Sequence, residues 1–174
     1  NTSLLNSDGT TGEKTVWLWD QGADTYVQKN LATDLEVSPG QAFFVSVSDG
    51  TSDFVITEAM QSHNSDTFQR GGTVQKIDLT LSNGAISRTA EVFYIDGTTK
   101  GFDNGYDSSI FGGVSNEFAI YTRAVANGEG RNLGIQSLPN SDLESMVIPV
   151  GVKAVAGSTL EFSASATNLP AGTF

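Results

Sequence analysis

Residues Asn132 to Phe174 read NLGIQSLPNSDLESMVIPVGVKAVAGSTLEFSASATNLPAGTF, and their periodicity decides the fold class. Leu133 and Ile135, then Met146, Ile148, Val150 and Val152, then Leu160 and Phe162 fall at every second position. That is the side-chain period of a half-buried strand. Turn-forming clusters separate the runs: Pro139-Asn140-Ser141-Asp142, Gly157-Ser158 and Pro170-Ala171-Gly172. Pro149 interrupts SMVIPVGV and cannot donate to a ladder, so its strand belongs at an edge or a bulge.

The same pattern extends upstream. Lys14 to Trp19 and Thr25 to Lys29 predict a hairpin across Gln21-Gly22-Ala23-Asp24, and Gln41 to Val47 with Asp53 to Thr57 a second one around Ser48-Asp49-Gly50-Thr51. Thr73 to Ser82 places Ile77, Leu79 and Leu81 on one face and Asp78, Thr80 and Ser82 on the other, and Asn83-Gly84 turns it into Ser87 to Ile95. Val92, Phe93, Tyr94 and Ile95 are apolar on both faces, which predicts a central strand covered on each side. Glu117 to Thr122 completes the series, while Glu58 to Gly72, polar and aperiodic, reads as a surface excursion. Many short strands with no helix longer than a turn or two predict one all-β domain over residues 1–174. Its expected architecture is an antiparallel two-sheet β-sandwich, with jelly-roll-like and immunoglobulin-like topologies both open. Phe43, Val45, Ile77, Leu79, Phe93, Phe118, Ile148 and Phe162 are its expected core.

Composition narrows the function. With 20 acidic against 9 basic residues the net charge is −11, and the basic residues are scattered, which disfavours nucleic acid and anionic membrane surfaces as partners. Neutral glycans meet no such repulsion. The chain has no Cys, so disulfides, thiolate nucleophiles and Cys-based zinc sites are excluded together. No apolar run reaches the length of a membrane span.

Four groups of residues have chemistry to offer. Trp17, Trp19 and Tyr26 are flat aromatics of the kind on which the apolar face of a sugar ring stacks. Val16 and Leu18 alternate with the tryptophans and are as apolar, so either face can be the core. Asp96, Asp103, Asn104 and Asp107, in a Gly-rich loop that also carries Phe102 and Tyr106, offer hard oxygen ligands and make calcium a candidate cofactor. The spacing is not that of an EF-hand, and Asp and Asn also serve turns by bonding their own backbone. His63, the only histidine, lies near Asp66, Glu58 and Arg70 in a polar loop with no nucleophile or metal cluster to support catalysis. Glu58, Glu91, Glu117, Glu144 and Glu161 fit solvated strand faces, except that Glu91 lies in the most apolar strand and needs a partner, with Arg88 or another arginine as candidates.

Four stretches in order, TVWLWDQGADTYVQ (15–28), VSPGQAFFVSV (37–47), RTAEVFYIDGTTKGFDNGYDS (88–108) and the C-terminal segment, resemble a module found near the C-terminus of large secreted Bacteroidetes proteins exported by the type IX secretion system. The resemblance implies a secreted or cell-surface all-β domain preceding a sorting domain, in proteins that often carry polysaccharide-degrading or adhesive modules. It supplies no catalytic residues. It also implies a fragment lacking strands at one or both ends, with Phe174 beginning a strand and a sheet edge left to be covered.

Two functions follow as expectations. The first is a non-catalytic accessory module that binds polysaccharide through Trp17, Trp19, Tyr26, Phe102 or Tyr106, with calcium a candidate at Asp96, Asp103, Asn104 and Asp107. The alternative is a structural spacer, assembly or adhesion domain mediating protein contacts, including contacts with other domains of the same protein. Exposure of the aromatics discriminates between the two.

Overall fold

The computed structural model describes residues 12–33, 37–47, 56–61, 75–113, 117–141, 143 and 145–170. His63, Asp66, Arg70, Asp142, Glu144, Phe174 and residues 48–55 of the expected second hairpin lie outside the described residues.

Within them the chain is all-β, its one helical feature a 3-10 turn at Glu58–Met60. The strands are β1 (Val16–Asp20), β2 (Thr25–Lys29), β3 (Phe43–Val45), β4 (Gln75–Ser82), β5 (Ser87–Tyr94), β6 (Ser108–Ser109), β7 (Ala119–Thr122), β8 (Leu133–Leu138), β9 (Val150–Lys153) and β10 (Glu161–Thr167). They form two sheets, one of three strands in the order β2-β1-β3, the other of seven in the order β10-β4-β5-β8-β7-β9 with β6 beside β8.

The predicted hairpins β1–β2 and β4–β5 form, with Trp19 opposite Tyr26 and Ile77 opposite Val92. β5 is central, and Val92, Phe93 and Tyr94 are all buried. Pro149 immediately precedes β9 at the edge of the large sheet, where its carbonyl accepts the Arg123 amide at 2.9 Å. One pairing departs from the expected antiparallel order: β5 and β8 run parallel, Glu91 beside Ile135 through Tyr94 beside Leu138. The long crossover of residues 95–132 between them makes that direction possible. The second expected hairpin also changes, since β3 pairs with β1 and the described residues 56–61 hold no strand.

The large sheet is strongly curled. Ile77, Leu79 and Leu81 of β4, Val92 of β5, Ile120 of β7 and Leu138 of β8 gather into the main core, with Phe118 and Ile148 partly buried against it. Phe43 and Val45 instead join a smaller core around Val16 and Leu18. Phe162 is not core: it is 54% exposed, because β10 pairs with β4 at a sheet edge that no described element covers.

Polar contacts join the sheets. Thr15 Oγ1 lies 2.8 Å from Ser108 Oγ, Asn30 Nδ2 donates to Ser108 Oγ and to the Tyr106 carbonyl, and the Glu13 carboxylate accepts from the Ser109 amide and hydroxyl. Glu13, Thr15, Asn30 and Ser108 are buried and each is paired, as most buried polar groups are.

Candidate functional site

Alternation along β1 sends Val16 and Leu18 into the small core and turns Trp17 and Trp19 to the opposite face. Cross-strand pairing brings Tyr26 of β2 opposite Trp19 and Phe44 of β3 opposite Trp17. Phe111 folds back over this face, its ring centroid 4.4 Å from Tyr26, 5.0 Å from Phe44 and 5.9 Å from Trp17. Five aromatics thus form one continuous surface.

Its members have different exposures. Trp17 is only 7% exposed, and its indole N–H donates to the Ser109 carbonyl at 3.0 Å, so it joins the two sheets. Trp19 is 41% exposed; Tyr26 braces it edge-on at 5.0 Å, and its N–H reaches Gln21 Oε1 at 3.3 Å. Trp19, Tyr26, Ile86 and Phe118 line an open groove of about 880 Å³ whose polar rim includes Asp24, Asn83, Glu117 and Ser158. Exposed Val155 completes an apolar margin. An exposed aromatic held in a fixed pose beside hydrogen-bonding groups suits a ligand that is apolar on its faces and polar at its edges.

A second cleft of about 730 Å³ lies between the small sheet and the β4–β5 face and shares Thr25, Tyr26, Arg88 and Phe118 with the groove. Arg88 stands at the junction, donating to the carbonyls of Ala23 (2.8 Å), Asp24 (3.1 Å) and Ser87 (3.0 Å), and so it ties the large sheet to the β1–β2 turn. Glu91 is not Arg88's partner. It lies directly across from Asp78, and Lys76 Nζ bridges the two carboxylates at 2.9 and 3.0 Å. Two like charges side by side on neighbouring strands repel, and the lysine neutralises them. Partial burial acts to lower the Lys76 pKa, but hydrogen bonds and charge from Asp78 and Glu91 prevail and hold it above its ordinary value. Lys76 therefore stays protonated at neutral pH.

In the loop expected to offer calcium ligands, Asp103, Asn104 and Asp107 accept hydrogen bonds, most of them from backbone amides. Asp103 accepts from the Thr99 amide at 2.6 Å and the Thr99 hydroxyl at 3.1 Å. Asp107, fully buried, accepts from the amides of Asp103 (2.6 Å) and Ser137 (2.5 Å). Asn104 Oδ1 accepts the Lys14 amide at 2.7 Å while its Nδ2 donates to the Gly12 carbonyl at 3.0 Å. Asp96 is exposed. No cluster of three or more His, Asp or Glu side chains gathers as a metal-holding set among the described residues. Burial pushes the Asp107 carboxyl up to about 7, the two amides pulling it down and the charges of Asp103 and Glu13 raising it further. Phe102 lies under the Arg131 guanidinium, 4.3 Å from ring centroid to Cζ, and Arg131 also pairs with Glu13 at 3.2 Å. Tyr106 is half-buried, and its carbonyl accepts from Asn30 and Ser137. This loop is the joint between the sheets.

Phe44 was legible in principle, since its neighbour Phe43 faces inward and alternation puts Phe44 with the tryptophans. Phe111 was not, because it sits in the aperiodic run Ile110-Phe111-Gly112-Gly113 and is positioned by tertiary contacts alone. Comparison with protein-family models, curated proteins and solved structures finds no match to the chain.

Proposed function

We propose that this chain is a non-catalytic accessory module, a two-sheet β-sandwich of a secreted or cell-surface protein, that binds polysaccharide at the Trp19–Tyr26 groove. One observation carries the reading: Trp19, 41% exposed and braced by Tyr26, stands at the mouth of an open groove with a polar rim. A sugar ring laid on the indole would bury its CH face there while its hydroxyls meet Asp24, Asn83 or Glu117. The resemblance to modules of type IX-exported Bacteroidetes proteins supplies the context, in which neighbouring domains act on or adhere to glycans. The 96–107 loop enters this proposal as a structural joint, its carboxylates engaged by N–H and O–H donors.

Affinity electrophoresis in gels cast with different polysaccharides tests the reading. At least one should retard the wild-type chain, and Trp19→Ala should lose that retardation while melting at the same temperature. Equal mobility in every gel removes the proposal.

A second reading, assembly or spacing through protein contacts, draws on a different observation. The edge strands β9 and β10 expose Val150, Val152 and Phe162 in the large sheet, apolar side chains that a partner strand or domain would cover. Oligomerisation or domain capture that depends on these residues, with no glycan bound, would favour it.

A further inference from the structure

The inter-sheet cleft adjoins the aromatic groove but differs from it in chemistry. Its charged lining is balanced: Asp20, Asp78 and Glu91 against Lys29, Lys76 and Arg88, three of each sign in a chain whose net charge is −11. Hydroxyls stand beside the charges, with Thr80 Oγ1 and Thr89 Oγ1 3.2 Å apart on the same wall. The Lys76, Asp78 and Glu91 side chains keep roughly a quarter to a third of their surface exposed, so ammonium protons and carboxylate lone pairs remain open to a ligand. At the junction with the groove the Arg88 Nε–H, buried, has no hydrogen-bond partner.

We propose that this cleft is an inner subsite for an uncharged, hydroxyl-rich sugar residue, continuous with the ring stacked on Trp19, so that the module selects neutral oligosaccharides over uronates and sulfated glycans. The inference rests on the glycan reading of the groove. Sugar hydroxyls both donate and accept, and the ion triad and threonine pair supply acceptors and donors together, while a lining of balanced charge in a chain of net charge −11 gives an anion no net attraction. Since the lining is electroneutral, affinity should depend little on salt.

Isothermal titration of the full chain tests this, with cello-, xylo-, manno- and laminari-oligosaccharides as the neutral set and oligogalacturonate as the anionic probe. At least one neutral series should bind, with Kd changing less than about two-fold between about 0.05 and 0.5 M salt. Glu91→Gln, in the triad, and Thr89→Val, outside it, should each weaken binding about ten-fold without altering the melt, and two separate variants guard against one that misfolds. If both bind like wild type while Trp19→Ala abolishes binding, the ligand is confined to the outer groove and the subsite is refuted with the glycan reading intact. If no neutral sugar binds, or Trp19→Ala has no effect, the glycan reading itself fails and takes the subsite with it. Salt-sensitive binding of oligogalacturonate in preference to the neutral set overturns the assigned ligand class.

Discussion

Replacing Asp107 with alanine removes the buried carboxylate that clamps the sheet joint, and the cost should depend on pH. The Asp103 and Ser137 amides lose their acceptor, Ser137 in a fully buried position. A buried donor left unpaired costs about 1–3 kcal/mol, so the two together cost about 2–6 kcal/mol before any relief. Relief comes from no longer burying a charge. The folded-state pKa of about 7 lies above the ordinary carboxyl value, so Asp107's protonated form stabilises the fold at low pH, and that contribution is lost as pH rises through 7. Between about pH 5.5 and 8.5 the unfolded carboxyl is already ionised while the folded one releases its proton, a loss of about 2 kcal/mol at 1.36 kcal/mol per unit. Urea unfolding of wild type and Asp107→Ala at both values, each clear of the isoelectric point near 4.2, should show a stability gap that narrows by about 2 kcal/mol at the higher pH. A gap that stays constant or widens with pH would refute the reasoning.

Other consequences follow from burial and from the loop. Phe162→Ser should change stability by less than about 0.5 kcal/mol, because its ring is half exposed, whereas Phe93→Ala, on a buried ring, should cost about 3–5 kcal/mol in the same denaturant titration. Calcium at about 10 mM should leave the melting temperature unchanged, since the oxygens of Asp103, Asn104 and Asp107 already accept hydrogen bonds; a rise of several degrees would support calcium binding at this loop.

Period-two alternation marked β4 most clearly because its residues are buried and half-buried in turn, the condition under which register is written in the sequence, whereas β7 and β8 are buried at every position. It placed Ile77 and Leu79 correctly and misplaced Phe162 for a physical reason: alternation reports which face a residue shares, not whether anything lies on that face. The parallel β5–β8 pair was hidden because strand direction depends on the long crossover of residues 95–132 and not on the pattern within either strand. In the site, the Trp19–Tyr26 pair was legible from the hairpin register. The two roles of Trp17 and Trp19, neighbours on one face, were not, since Phe111 and Ser109 arrive from more than ninety residues away to bury the first. Glu91's partner was missed because Lys76 reaches it diagonally from β4 to β5, while Arg88, on Glu91's own strand, turns to the β1–β2 turn.

The most direct test of the central claim is the solvent accessibility of Trp19 while a bound neutral oligosaccharide is titrated in, read as iodide quenching of tryptophan fluorescence. Trp17 is buried and Trp19 is not, so nearly all quenching in the free protein should come from Trp19. Saturating ligand should suppress that quenching and shift the emission to the blue, and a Trp19→Phe variant should show neither response. Binding that leaves Trp19 as accessible to iodide as in the free protein would place the ligand elsewhere and contradict the account.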